Sequence, residues 1–110
     1  MPTDMNLDEL LRDLEEGSGP VMEALTRMNA GALRQEAIGP RTALLARFAA
    51  LIALDASAPS YLVHLSLAEE AGLRPETVRA LLIELAPVVG SARIVSAAGK
   101  MQQAIRLAGA

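Results

Sequence analysis

One histidine closes the pattern Ser57-x-x-Ser60-x-x-x-His64 in a chain of 110 residues that contains no cysteine. An imidazole gives or takes a proton near neutral pH. Two hydroxyls beside it offer hydrogen bonds but no redox chemistry. A serine pair cannot form a disulfide or reduce a peroxide, because the thiolate is the nucleophile in both reactions. Such a set can pass a proton to or from a small bound molecule. Arg47 is the residue type that seats a carboxylate, through a bidentate pair. His64, Arg47, Ser57 and Ser60 are therefore the candidate catalytic residues, with Tyr61 and Arg41 as candidate substrate contacts, around a small anion-accepting pocket.

Each of these residues also has a plain structural use. Ser57 stands where a helix N-cap is wanted, and Ser60 where a first-turn hydroxyl is common. His64 on a mid-helix face can be a satisfied core histidine. Tyr61 can pack its ring and turn its hydroxyl outward. Arg47 can hold a salt bridge, within the chain or to a second subunit, and Arg41 can be a solvated first-turn residue. Asp55 is the acid nearest in sequence, placed either to cap the turn before His64's helix or to approach the imidazole.

The elements that position these residues are helical. Leu7, Leu10, Leu11 and Leu14 repeat at helical spacing, with Asn6 and Glu9 set as a capping box and Gly17 as a stop. Pro20 suits the start of a second helix, whose stripe is Val21, Met22, Leu25 and Met28 and whose end is expected at Gly31. Residues 32–39 read as a loop or a short irregular helix. A third helix from Arg41 to about Leu54 is apolar nearly all round and is expected at the centre. A fourth covers Ala58 to Ala71 and stops at Gly72. A fifth opens at Pro75 and stops at Gly90, and a sixth covers Ala92 to Leu107. Ser57, Ser60 and His64, spaced i, i+3, i+7, share one face of the fourth helix, which Tyr61, Ala68 and Ala71 extend. The fold class is all-α: a single-domain bundle of about six helices, with residues 1–38 as an N-terminal cover or oligomer arm and 39–110 as the core.

From Arg41 to Ile105 the chain resembles the carboxymuconolactone decarboxylase and alkylhydroperoxidase-like family. The matching stretches are Pro40-Arg41-Thr42, the serine frame with His64-Leu65, Glu70-Ala71-Gly72-Leu73-Arg74-Pro75-Glu76-Thr77-Val78, and Ala86-Pro87-Val88-Val89-Gly90. The resemblance implies an alkylhydroperoxidase-like helical fold, assembly into homotrimers or homohexamers, and either thiol peroxidase chemistry or cofactor-free decarboxylation of a lactone acid. Redox members carry two cysteines where Ser57 and Ser60 stand and a glutamate at the position of Leu44. With neither present, thiol peroxidase activity is not expected. Two readings follow: a lyase acting on a small carboxylate or lactone acid, or a catalytically silent oligomeric member that binds or scaffolds.

A third reading is a DNA-binding helix-turn-helix over Ser66 to Val78. The helix after the turn carries Val78, Leu81, Leu82, Ile83, Leu85, Val88 and Val89, so it is expected to be buried on most sides and unfit for a groove. Charge agrees. Residues 1–40 hold three basic and eight acidic side chains, the remainder seven and five, for a net charge of −3. No clustered basic face for nucleic acid appears. No apolar run approaches the ~20 residues of a membrane span, and Asp4, Asp8 and Glu9 stand where a signal peptide would be basic, so a cytoplasmic location is expected. No phosphate loop appears, one histidine without cysteine does not suit a transition metal, and no cofactor is expected. The composition is 52% hydrophobic with Phe48 and Tyr61 the only aromatics. That is more apolar material than a small monomer hides easily, and part of it is expected to meet a second copy.

Overall fold

The structure, a computed structural model, describes residues 6–34 and 38–109. Six helices and no strand occur among the described residues: α1 (Leu7–Glu15), α2 (Gly19–Arg34), α3 (Pro40–Leu54), α4 (Ala58–Glu70), α5 (Pro75–Val89) and α6 (Ser91–Gly109). The boundaries follow local chemistry. Asn6 accepts from the Glu9 amide at 2.8 Å and so caps α1. At its other end Gly17 takes a left-handed φ of 81°. There the Ser18 amide bonds the Asp13 carbonyl at 2.8 Å, the closing bond of a Schellman turn. Gly72 ends α4 in the same way, with φ 74° and the Leu73 amide on the Ala68 carbonyl at 2.8 Å. Proline stands in the first turn of α3, α4 and α5, where its missing N–H costs nothing.

Gly31 does not end α2. The helix runs on to Arg34, because a glycine in helical backbone costs only about 1 kcal/mol against alanine and Gly31 has alanine on both sides. Of the stretch read as loop or irregular helix, 32–34 are helical, 35–37 lie outside the described residues, and Gly39 is the N-cap of α3.

The core forms where α3 and α4 cross, with α6 packed along α4. Leu44, Phe48, Ile52 and Tyr61 are its largest fully buried side chains. The central place expected for α3 is thus where it lies. α1 and α2 form a hairpin laid across α3 and α4. Its turn sits so close to α4 that a Cβ added at Gly17 would stand 2.7 Å from a Leu62 methyl. α5 differs from expectation: none of its residues is buried. Its inner side packs on α3 and α6, and Ile83 and Val88 face outward. The burial expected to keep this helix out of a DNA groove is therefore not what the fold provides. Its exposed face mixes Arg74 and Arg79 with Glu76 and Glu84, and Arg74 is paired with Glu76 at 2.9 Å.

Candidate functional site

The start of α4 is fixed by its neighbours on either side. Asp55, at the end of α3, takes the left-handed conformation with φ 56°. Asp tolerates that region better than most residues because its short side chain bonds locally. Here the carboxylate instead reaches α6, accepting from the Ser96 hydroxyl at 2.6 Å and from Lys100 Nζ at 3.0 Å. These two bonds, the serine's first, hold the carboxyl below its ordinary range. Asp55 therefore tethers the α3–α4 link to α6 and does not turn toward His64.

Ser57 is the N-cap of α4 by position, yet its hydroxyl makes no capping bond. The reason is local. An N-cap side chain serves the amide two or three residues on. Pro59 has no amide hydrogen, and the Ser60 amide already bonds the Ser57 carbonyl at 3.2 Å. The Ser57 hydroxyl is left for other work. The Ser60 hydroxyl likewise bonds no group among the described residues, while its carbonyl accepts from His64 Nδ1–H at 2.8 Å. A carbonyl only accepts, so this contact sets the tautomer: Nδ1 carries hydrogen and Nε2 carries the lone pair. The ring is buried, 6% exposed, and meets Phe48 edge-on with centroids 6.1 Å apart. Burial pushes the imidazole below its usual pKa; the Ser60 bond opposes this and the Arg47 charge adds to it. At neutral pH His64 rests uncharged.

Ser57, Ser60 and His64 converge on one cavity of about 530 Å³. Its floor is α4. Its other walls are Leu51 of α3, Met22, Leu25 and Asn29 of α2, and Leu11, Leu14 and Glu15 of α1. The hairpin thus covers the imidazole face and contributes most of the aliphatic lining.

The other predicted residues lie elsewhere. Tyr61 is fully buried and its hydroxyl has no partner among the described residues. Its pKa is raised, by burial first and then by the Asp55 charge. Pro59 and Val63 line the cavity, so the open flank of α4 is on their side of His64. At about 100° per residue Tyr61 falls on the opposite flank. Ala68 is core rather than space beside the imidazole. Arg47 bonds the backbone carbonyl of Asn29 at 3.2 Å and its side-chain oxygen at 3.1 Å, joining α3 to α2 behind the cavity wall. Arg41 donates from Nε to the Ala71 carbonyl at 3.1 Å, where a cation suits the C-terminus of α4.

Sequence reasoning missed Glu15 and Asn29. Both come from the hairpin, and no spacing rule brings α1 or α2 over α4. Only their place on the Leu11–Leu14 and Met22–Leu25 stripes hints that they border the buried face. Among the described residues no three His, Asp or Glu side chains cluster as metal ligands would, and no helix is long and apolar enough to cross a membrane.

Comparison with known families gives one result: residues 19–103 match the model of the carboxymuconolactone decarboxylase family. The match takes in α2 as well as the core expected from Arg41 onward. No curated protein and no solved structure matches the chain.

Proposed function

The chain belongs to the carboxymuconolactone decarboxylase family, and from that premise we propose that it is a cofactor-free, lyase-type catalyst in which His64 is the general base. One observation carries the reading. A neutral imidazole shares a ligand-sized cavity with two serine hydroxyls, and neither its Nε2 nor the hydroxyls have a partner among the described residues. In the proposed step Nε2 takes a proton from a carbon beside a carbonyl. The electron pair moves to the carbonyl oxygen, which Ser57 and Ser60 hold by hydrogen bonds. The enolate then re-forms its carbonyl as a group leaves from the next carbon. That group takes the proton from His64, and the ring returns neutral. A small molecule fits: such sites run roughly 300–1,000 Å³.

Decarboxylation places the opposite demand on the same ring. It consumes a proton, so His64 must be charged to deliver one. The two cases separate in a pH–rate profile measured on a panel of small lactones and lactone acids. Base catalysis fails as pH drops through the lowered imidazole pKa; proton delivery fails as pH rises through it. The proposal predicts the former, with His64→Ala lowering kcat by about 10²–10⁴-fold. No turnover of any panel member, or equal rates for His64→Ala, refutes it.

A second reading is an oligomeric member without catalysis that binds or scaffolds. It is favoured by Leu44, fully buried where redox relatives of this family place an acid, and by the outward apolar side chains of α5 and α6. Under it, His64→Ala preserves cellular function and loss of self-association does not.

A further inference from the structure

The charge around the cavity decides which molecules it admits. Besides Asn29, whose amide is bonded to Leu25 and Arg47, three kinds of side chain line it. The aliphatic ones dominate. Ser57, Ser60 and His64 supply hydrogen bonds from α4. Glu15 supplies the sole charge on the wall among the described residues. Both arginines suited to seat a carboxylate are committed elsewhere: Arg47 to Asn29 and Arg41 to the end of α4. A carboxylate entering here would shed water and meet no cation, which is costly. It would also meet the Glu15 carboxylate, which ends α1 where the helix already presents its negative pole. A cation would shed water too, against walls that are aliphatic or uncharged apart from the exposed Glu15 carboxylate.

We infer that the cavity selects an uncharged, mainly hydrocarbon molecule bearing one carbonyl, and that Glu15 is the residue that turns carboxylates away. The carbonyl oxygen accepts from the Ser57 and Ser60 hydroxyls. The hydrocarbon lies against Leu11, Leu14, Leu25 and Leu51. This names the substrate class for the site proposed above and rests on the same cavity. It does not rest on turnover.

The test uses the full chain and two probes: a γ-lactone with a hexyl tail, and the same lactone with that tail ended by a carboxylate. Affinities come from titration calorimetry at pH 7.5, and the binding place from shifts of the His64 ring resonances, which belong to the one histidine of the chain. The neutral lactone is expected to shift those resonances and to bind roughly tenfold or more tighter than the acid. Glu15→Gln changes an exposed side chain, and is expected to shrink that ratio to about threefold or less. Equal or tighter binding of the acid overturns the inference, as does a ratio that Glu15→Gln leaves unchanged, or failure of the neutral lactone to perturb His64 up to its solubility. Binding with the expected discrimination but without His64-dependent turnover removes the lyase reading and leaves this one standing.

Discussion

At the scale of single residues, Ser57, Ser60 and His64 line one cavity while the Tyr61 ring is buried on the other flank of α4. The spacing of Ser57, Ser60 and His64 places three groups on one helix face, and they do meet in one cavity. Which flank of that face is open depends on where the hairpin lies, so spacing alone puts Tyr61 on the wrong side. The same holds for the arginines. A guanidinium in an apolar helix must find a partner, but the sequence does not say that Arg47 finds an amide on α2. Burial makes the neutral imidazole the folded form. The unfolded chain therefore binds the extra proton, and stability should fall as pH drops below the ordinary imidazole value of 6.5 toward the lower folded one. His64→Gln removes the titration. Thermal melting at pH 5 and 7.5 checks this: the wild type should lose more stability than the variant between the two. Leu44→Glu is a separate test at this scale. A carboxylate at that fully buried position is expected to cost roughly 3 kcal/mol or more, measurable by urea unfolding, unless a proton neutralises it.

Element ends read well where proline or left-handed glycine sets them, as at Pro40, Gly72 and Pro75. They read poorly where an end depends on what the chain packs against, as at Gly31. Two positions carry the placement of elements around the cavity. Gly17 holds the hairpin on α4: it takes a positive φ, and an added Cβ would also push on a Leu62 methyl. Gly17→Ala is expected to destabilise by about 1–3 kcal/mol, and to raise amide exchange in α1 more than in α4. Equal exchange in the two helices would show that the turn does not control the cover. Asp55 ties the start of α4 to α6. Asp55→Ala loses both bonds and leaves a non-glycine residue at positive φ, whereas Asp55→Gly loses the bonds and relieves the backbone. The glycine variant should therefore melt higher than the alanine variant, and both below the wild type.

The whole molecule is less compact than its length allows. Its radius of gyration is 14.8 Å, against roughly 13 Å for a globule of this size. The surplus is apolar surface on the hairpin, α5 and α6: Leu7, Ile83, Val88, Val95 and Ile105 are each more than half exposed. The composition alone indicates such a surplus. It does not locate it, because the apolar residues of α5 wrap most of that helix and read as a segment covered by its own chain. We propose that these faces meet further copies of the chain. Sedimentation velocity across a hundredfold dilution should show a species larger than the 11.5 kDa chain that weakens in Ile83→Glu or Val88→Glu. A monomer at every concentration would contradict this.

The central claim is that a neutral imidazole faces the cavity with Nε2 as its acceptor. Nitrogen-15 NMR of the His64 ring across pH 4.5 to 8.5 measures both halves of that claim. The predicted result is the Nδ1–H tautomer at neutral pH, a pKa below 6.5, and movement of the Nε2 signal when a neutral lactone is added. An Nε2–H tautomer, a pKa at or above that value, or a ring blind to added lactone would contradict the account.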